Sequence, residues 1–113
     1  MNTLGNQAEK VASSYLEQQG LTLIKKNYQT RFGEIELIMQ DGKSIAFAEV
    51  RLRKNNIFGG ASESITQAKQ RKIAKVAEQF LQHHGNQACR FDAIVMDKAE
   101  IQHIQWIKHA FEV

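Results

Sequence analysis

The sequence predicts an α/β domain, a mixed β-sheet with helices packed against it, in the order α-β-β-β-α-β-β. Three observations predict it. Two long segments carry apolar residues at steps of three and four, the spacing of a helix face. Around them lie shorter runs of alternating or continuous apolar residues, the pattern of strands. Asp41-Gly42 falls between two of those runs and marks a hairpin. The 113 residues suit one domain, 1–113, with enough chain to enclose a core.

The first helix is expected over about Asn6–Gln19, where Leu4, Ala8, Val11, Ala12, Tyr15 and Leu16 make one apolar face and Gly20 supplies a stop. A short strand follows at about Leu21–Lys25. Gly33–Met39 and Ser44–Leu52 read as two strands joined across Gln40-Asp41-Gly42-Lys43. With Asp41 and Gly42 as the turn, Gln40 pairs with Lys43. Counting outward, Ile38 faces Ile45, Glu36 faces Phe47, Glu34 faces Glu49 and Phe32 faces Arg51. Residues 53–60 (RKNNIFGG) read as a loop. A second helix is expected from about Ser64 to His83, opened by a Ser64/Gln67 capping box and closed by Gly85-Asn86. Ile65, Ala68, Ile73, Val76, Ala77, Phe80 and Leu81 are its buried stripe. Two last strands are expected at Arg90–Met96 and about Ile101–Lys108.

Composition narrows the function classes. Hydrophobic residues make up 42% and charged residues 24%, an ordinary globular balance. No apolar run approaches the ~18 residues of a membrane span, so no membrane association is expected. The N-terminus lacks a basic region followed by an apolar stretch, so no secretory signal is expected and the cytoplasm is the expected compartment. One cysteine, Cys89, excludes an internal disulfide framework and a multi-cysteine metal site. Net charge is +3, but residues 51–75 hold seven basic side chains (Arg51, Arg53, Lys54, Lys69, Arg71, Lys72, Lys75) against one acid, Glu63. That segment is +6 and the rest of the chain −3. Such a stripe fits a polyanion, with nucleic acid first among candidates; its plain alternative is a solvated lysine-rich helix face.

Side chains alternate faces along a strand, so Ile35, Leu37 and Met39 are expected on one face with Ala46, Ala48, Val50 and Leu52. The opposite face carries Glu34, Glu36, Glu49 and Arg51 among Phe32, Ile38, Ile45 and Phe47. In the counted register Glu36 and Glu49 are diagonal neighbours, about 7–8 Å apart at Cα. Two carboxylates at that spacing suit Mg²⁺, which takes one or two of them and completes its shell with waters and phosphate oxygens. The plain alternative is an ordinary solvent-facing set of ion pairs with Arg51.

The run Gly33-Glu34-Ile35-Glu36-Leu37-Ile38, then Asp41-Gly42, then Phe47-Ala48-Glu49-Val50-Arg51-Leu52-Arg53 resembles the core of the YraN-like family of small bacterial proteins. Gly5, Ala8, Glu9 and Ala12 resemble its opening helix. Asn27-Tyr28 with Arg31 resembles the stretch before the core, Lys69-x-x-Lys72-Ile73 its basic second helix, Arg90-Phe91-Asp92 its next strand, and residues 106–111 (WIKHAF) its ending. The resemblance covers nearly the whole chain. It implies a restriction-endonuclease-like three-layer fold within the PD-(D/E)xK group, which also holds archaeal Holliday-junction resolvases.

Carried over residue by residue, the resemblance implies a Mg²⁺ (or Mn²⁺) site held by Glu9, Glu36 and Glu49. Glu36, Glu49 and Arg51 are then the catalytic set, and Arg51, Arg53, Lys54, Lys69, Arg71, Lys72 and Lys75 contact nucleic acid. It implies a metal-dependent endonuclease acting on DNA, with branched or structured DNA as one substrate class. By analogy with resolvases it also implies a homodimer, because two strands must be cut. Two positions depart from the pattern. Glu36 stands for an aspartate and keeps its charge. Arg51 stands for a lysine that can give up its proton, which an arginine does not; Arg51 suits holding a phosphate, and Glu34, Lys69 or Lys72 are candidates for the missing role. Two other classes stand beside this one: a module that binds nucleic acid without cutting it, and an interaction protein with no nucleic-acid role.

The remaining residues carry plainer expectations. His83 and His84 suit the C-terminal end of the second helix. His103 and His109 read as structural or surface groups, Trp106 as packing, and Cys89 as a buried inert thiol. Asp92 reads as either an ion-pair partner or an outer residue of the site.

Overall fold

A computed structural model describes residues 4–52 and 65–112, with side chains from Asn6 onward. The elements are α1 (Leu4–Gln18), β1 (Thr22–Thr30), β2 (Gly33–Asp41), β3 (Ser44–Leu52), α2 (Gln67–His84), β4 (Ala88–Met96), a 3₁₀ turn at Ile101–His103, and β5 (Ile104–Phe111). The five strands form one sheet in sequence order. β1, β2 and β3 are an antiparallel meander, β4 runs parallel to β3 after the α2 crossover, and β5 returns antiparallel. This is the mixed sheet and the α-β-β-β-α-β-β order that the periodicities predict.

Each face of the sheet meets one helix. On one face Ile38, Ile45, Phe47, Ala93 and Val95 pack with Ile73, Val76, Ala77 and Phe80 of α2. On the other, Leu37, Met39, Ala46, Ala48, Val50 and Ile94 pack with Ala8, Ala12 and Leu16 of α1. Phe47 is at the centre of the first layer, edge-on to Phe80 and stacked on Phe91. The apolar stripes of the two helices therefore face opposite sides of the same strands, and β3 alternates between them along its length.

The hairpin differs from the counted register, and the difference matters below. Asp41 pairs with Ser44, and Ile38 with Phe47, not with Ile45. The turn residues are thus Gly42-Lys43. Gly42 has φ 59, and Lys43 is not among the residues with positive φ. One glycine at the first central position suits a II′-type turn, whereas the counted register needs positive φ at both Asp41 and Gly42. The Gln40 side-chain amide donates to the carbonyls of Gly42 and Ser44 at 3.0 and 3.2 Å and fixes the turn. A shift of two residues leaves every β3 side chain on its expected face.

One residue changes face. Ile35 packs in the α2 layer, not with Leu37 and Met39. The β2–β3 ladder ends at Leu37/Ala48, and Asn27, opposite Glu36 in the β1–β2 register, takes a left-handed φ of 50. Strict alternation is lost at that step.

β1 is longer than expected, running on to Thr30, where Thr30 Oγ1 accepts a hydrogen bond from the Phe32 N–H across a tight turn. The cap of α2 is Thr66, whose hydroxyl accepts from the Lys69 N–H at 3.1 Å. Ser64, proposed above as the cap, lies outside the described residues, as do Glu63, Arg53, Lys54 and the 53–60 loop. At the far end His84 stacks on Phe80, 4.7 Å between rings, and Gly85 closes the helix.

Two further expectations resolve. Cys89 is exposed, because β4 starts in solvent and is buried only from Asp92 onward. Asp92 is 1% exposed and is an ion-pair partner. It accepts from Arg90 Nε at 3.0 Å, from Trp106 Nε1 at 3.0 Å and from the His109 N–H at 3.2 Å. Arg90 also donates to Asp41 at 2.8 Å, which ties β4 to the hairpin end. A buried carboxylate needs such partners, and here its own strand supplies Arg90 while β5 supplies Trp106 and His109.

Candidate functional site

The α2 face of β2 and β3 is apolar up to Ile38 and Phe47 and changes character one residue pair further on. Just past the last ladder pair, Leu37/Ala48, the Glu36 and Glu49 carboxyls come within hydrogen-bond reach of each other. Glu36 Oε2 accepts from the Val50 N–H at 3.1 Å, which holds its carboxyl against β3. The Glu49 side chain is 4% exposed. Both line a cavity of about 320 Å³, whose other walls are Gly33 and Glu34 from the start of β2 and Thr66, Lys69, Lys72 and Ile73 from α2. Gly33 has φ 146, a conformation open to glycine, and a Cβ there would meet Lys72 and Val76 at ordinary contact distance, so the backbone angle and not space asks for glycine.

Lys69 is in the first turn of α2, set by the Thr66 cap and by the Gln70 amide, which donates to the Ile65 carbonyl at 2.9 Å. Its Nζ lies 2.6 Å from Glu49 Oε1. Arg51 Nη2 lies 3.6 Å from the same oxygen. Lys69 thus holds Glu49 Oε1 as an ion pair, whereas Arg51 stands beyond hydrogen-bond reach of it and the Arg51 Nε is buried without a hydrogen-bond partner. Burial pushes the Glu36 carboxyl up to about 8, helped by the Glu49 charge, a carboxyl–carboxyl hydrogen bond to Glu49 and the Glu9 charge, and opposed by the Val50 N–H.

Glu9 stands apart from this pair. It lies in a separate hollow with Asn6, Lys10, Lys26 and Asn27, hydrogen-bonded to Asn27, and burial raises its pKa first of all. Its charge is felt by Glu36, yet among the described residues no three Asp, Glu, His or Cys side chains converge on one metal position. Glu34 lines the cavity and accepts from the Gln29 amide at 2.8 Å. Lys72 lines the cavity while exposed; Arg71 is exposed, and Lys75 sits over the Phe32 ring. Of these lining residues, Thr66 carries no expectation from the sequence. Threonine is a favoured N-cap, but Thr66 lacks the Glu or Gln three residues on that marks a capping box.

A sequence profile described as Uncharacterised protein family UPF0102 matches residues 8–96. The chain belongs to the UPF0102 family. This is the family to which the YraN-like resemblance points, and the match spans both carboxylates and α2. A UPF0102 protein of Methylobacillus flagellatus is 50% identical, over 98% of each chain. One from Nitrosomonas eutropha is 50% identical over 96% of this chain and 92% of its own. One from Psychromonas ingrahamii is 49% identical over 98% and 91%. This UPF0102 chain therefore matches its relatives nearly end to end. No helix among its described residues is long and apolar enough to cross a membrane.

Proposed function

We propose that this protein is a metal-dependent nuclease of the restriction-endonuclease-like kind, hydrolysing phosphodiester bonds in DNA, with branched or structured DNA as the substrate class to try first. The observation that carries the reading is the pair Glu36 and Glu49. They are two carboxylates forced together in a half-open cavity and faced by the cations Lys69, Lys72 and Arg51. A pair of buried like charges is costly unless a proton or a cation joins them.

The donor set fits Mg²⁺ or Mn²⁺. Two carboxylates and no nitrogen or sulfur ligand is a poor zinc site and a suitable Mg²⁺ half-site, completed by substrate phosphate. Glu36 and Glu49 would hold the ion, which would take the place of the Lys69 ammonium at Glu49 Oε1, and Glu9 would act on it by charge from the neighbouring hollow. When bound, the ion supplies Lewis acidity toward a phosphate oxygen. Lys69 and Lys72 line the wall that a phosphate meets on entry. Arg51 presents a guanidinium beside Glu49, suited to a phosphate oxygen as charge builds in the transition state. Lys69 supports the role that the family pattern gives to a lysine on the strand. It reaches Glu49 from the helix, while Arg51 occupies the strand position.

The test is cleavage of branched, duplex and single-stranded DNA with Mg²⁺, Mn²⁺ or EDTA. Cleavage is expected with either ion and not with EDTA. Glu49→Ala is expected to abolish it with an unchanged circular dichroism spectrum, and Lys69→Met to lower kcat. Undiminished cleavage by Glu49→Ala would overturn the reading. Salt-sensitive binding that ignores EDTA, with no cleavage at all, would leave the non-cutting module in its place; the Lys69–Glu49 ion pair favours that second reading.

A further inference from the structure

We propose that Arg31, Phe32 and Lys75 form a second anion subsite, which holds a phosphate of the same nucleic-acid strand a few nucleotides from the Glu36–Glu49 cavity. The choice of ligand rests on the nuclease reading above; the subsite itself rests on separate residues.

Phe32 sits in the β1–β2 turn that Thr30 Oγ1 pins through the Phe32 N–H. The Arg31 guanidinium carbon lies 4.8 Å from the Phe32 ring centroid, and Lys75 Nζ lies 5.4 Å from it. Two cations from different elements are thus gathered on one ring. Among the described residues neither has a carboxylate ion-pair partner. Like charges gathered in this way repel, and an anion beside both relieves the repulsion. The three residues line a cavity of about 290 Å³ with Glu78, Gln79 and Gln82. Glu78 is the one carboxylate of that wall, so the cavity keeps a net positive charge.

The subsite neighbours the carboxylate cavity along both the β1–β2 turn and α2. Gly33, the residue after Phe32, lines that cavity, and so does Lys72, one helical turn before Lys75. The backbone of the turn lies near the helix at this point, where a Cβ built on Gly33 would be 3.8 Å from Lys72 Cβ. From Lys69 to Lys75 the helix advances ~9 Å. One strand of DNA advances ~3.4 Å per phosphate along the duplex axis, so the spacing corresponds to two or three phosphates. Cations stepping along a helix with an aromatic at the far end match a polyphosphate backbone with bases beside it. An arginine plane is also a platform on which an unpaired base stacks.

The experiment measures binding of fluorescent single-stranded DNA of graded length in EDTA, across a salt series, which separates binding from metal and cleavage. The variant is Arg31→Gln/Lys75→Gln. Its charge-matched control is Lys43→Gln/Lys98→Gln, at exposed cations away from both cavities. Phe32→Leu removes the ring and keeps the side chain apolar. The subsite variant is expected to lose about tenfold in affinity, to lower the salt slope by about two, and to gain nothing from longer strands. The control is expected to lose far less, and Phe32→Leu to fall between. A subsite variant indistinguishable from the control would overturn the subsite and leave the carboxylate cavity as the whole of the binding site. A wild-type protein that binds no strand at low salt would overturn the subsite and the nuclease reading together.

Discussion

Glu36 is the residue on which the chemistry of the cavity turns. Its carboxyl is raised to about 8, first by burial and then by the charge of Glu49. The second cause can be removed without the first. In Glu49→Gln the facing group is neutral and nearly the same shape, so Glu36 is expected to titrate lower by a unit or more while staying above an ordinary glutamate. Carboxyl ¹³C NMR across a pH series measures it. A Glu36 midpoint unmoved by Glu49→Gln would mean that burial alone sets the shift and that the two carboxylates do not share a charge. The interaction was only half legible in the sequence. The residue types and the shared face were readable from alternation, but the distance was not, because it depends on which two residues form the turn.

At the scale of elements, the cation side of the site is built by the start of α2. Thr66 fixes that start by accepting from the Lys69 N–H, and the Lys69 side chain then reaches Glu49. Thr66→Ala is expected to cost ~1 kcal/mol of stability, and Thr66→Ser little, in urea unfolding. Equal losses in the two variants would show that the threonine methyl, and not the cap, is what matters. The boundaries of α2 show where sequence reading works. Its apolar stripe, Ile73, Val76, Ala77 and Phe80, follows from spacing alone, because burial of one helix face demands it. Its first residue does not follow, because Ser64 and Thr66 are both favoured caps and only the backbone chooses between them. For the same reason β1 was read short. Lys25, Lys26 and Asn27 are exposed on an edge strand, so no hydrophobic alternation marks the strand's second half. Cys89 misleads in the opposite sense: a free cysteine is usually buried, but this one begins a strand before the sheet is covered.

At the scale of the whole molecule, the cavity sets how the fold responds to pH. Glu36 holds its proton up to about 8 in the folded chain, whereas an unfolded glutamate releases it near pH 4.3. Between those values the native state binds more protons than the unfolded state, so stability falls as pH rises, by at most ~1.4 kcal/mol per pH unit from this one group. Glu9, raised in the same direction, adds to the trend. Below the lower value the contribution is constant, and above about 8 the penalty is complete. A divalent cation that binds only the ionised, folded pair stabilises by mass action and does so more strongly as pH rises. Urea unfolding with and without Mg²⁺ is therefore expected to show stability falling from about pH 5 to 8 in EDTA and falling less in excess Mg²⁺. Glu36→Gln is expected to flatten the first profile and to abolish the difference between the two. Curves that coincide with and without Mg²⁺ at every pH in the wild-type protein would mean that the carboxylates take no ion without substrate. Parallel pH profiles in wild type and Glu36→Gln would place the whole-molecule response elsewhere than in this cavity.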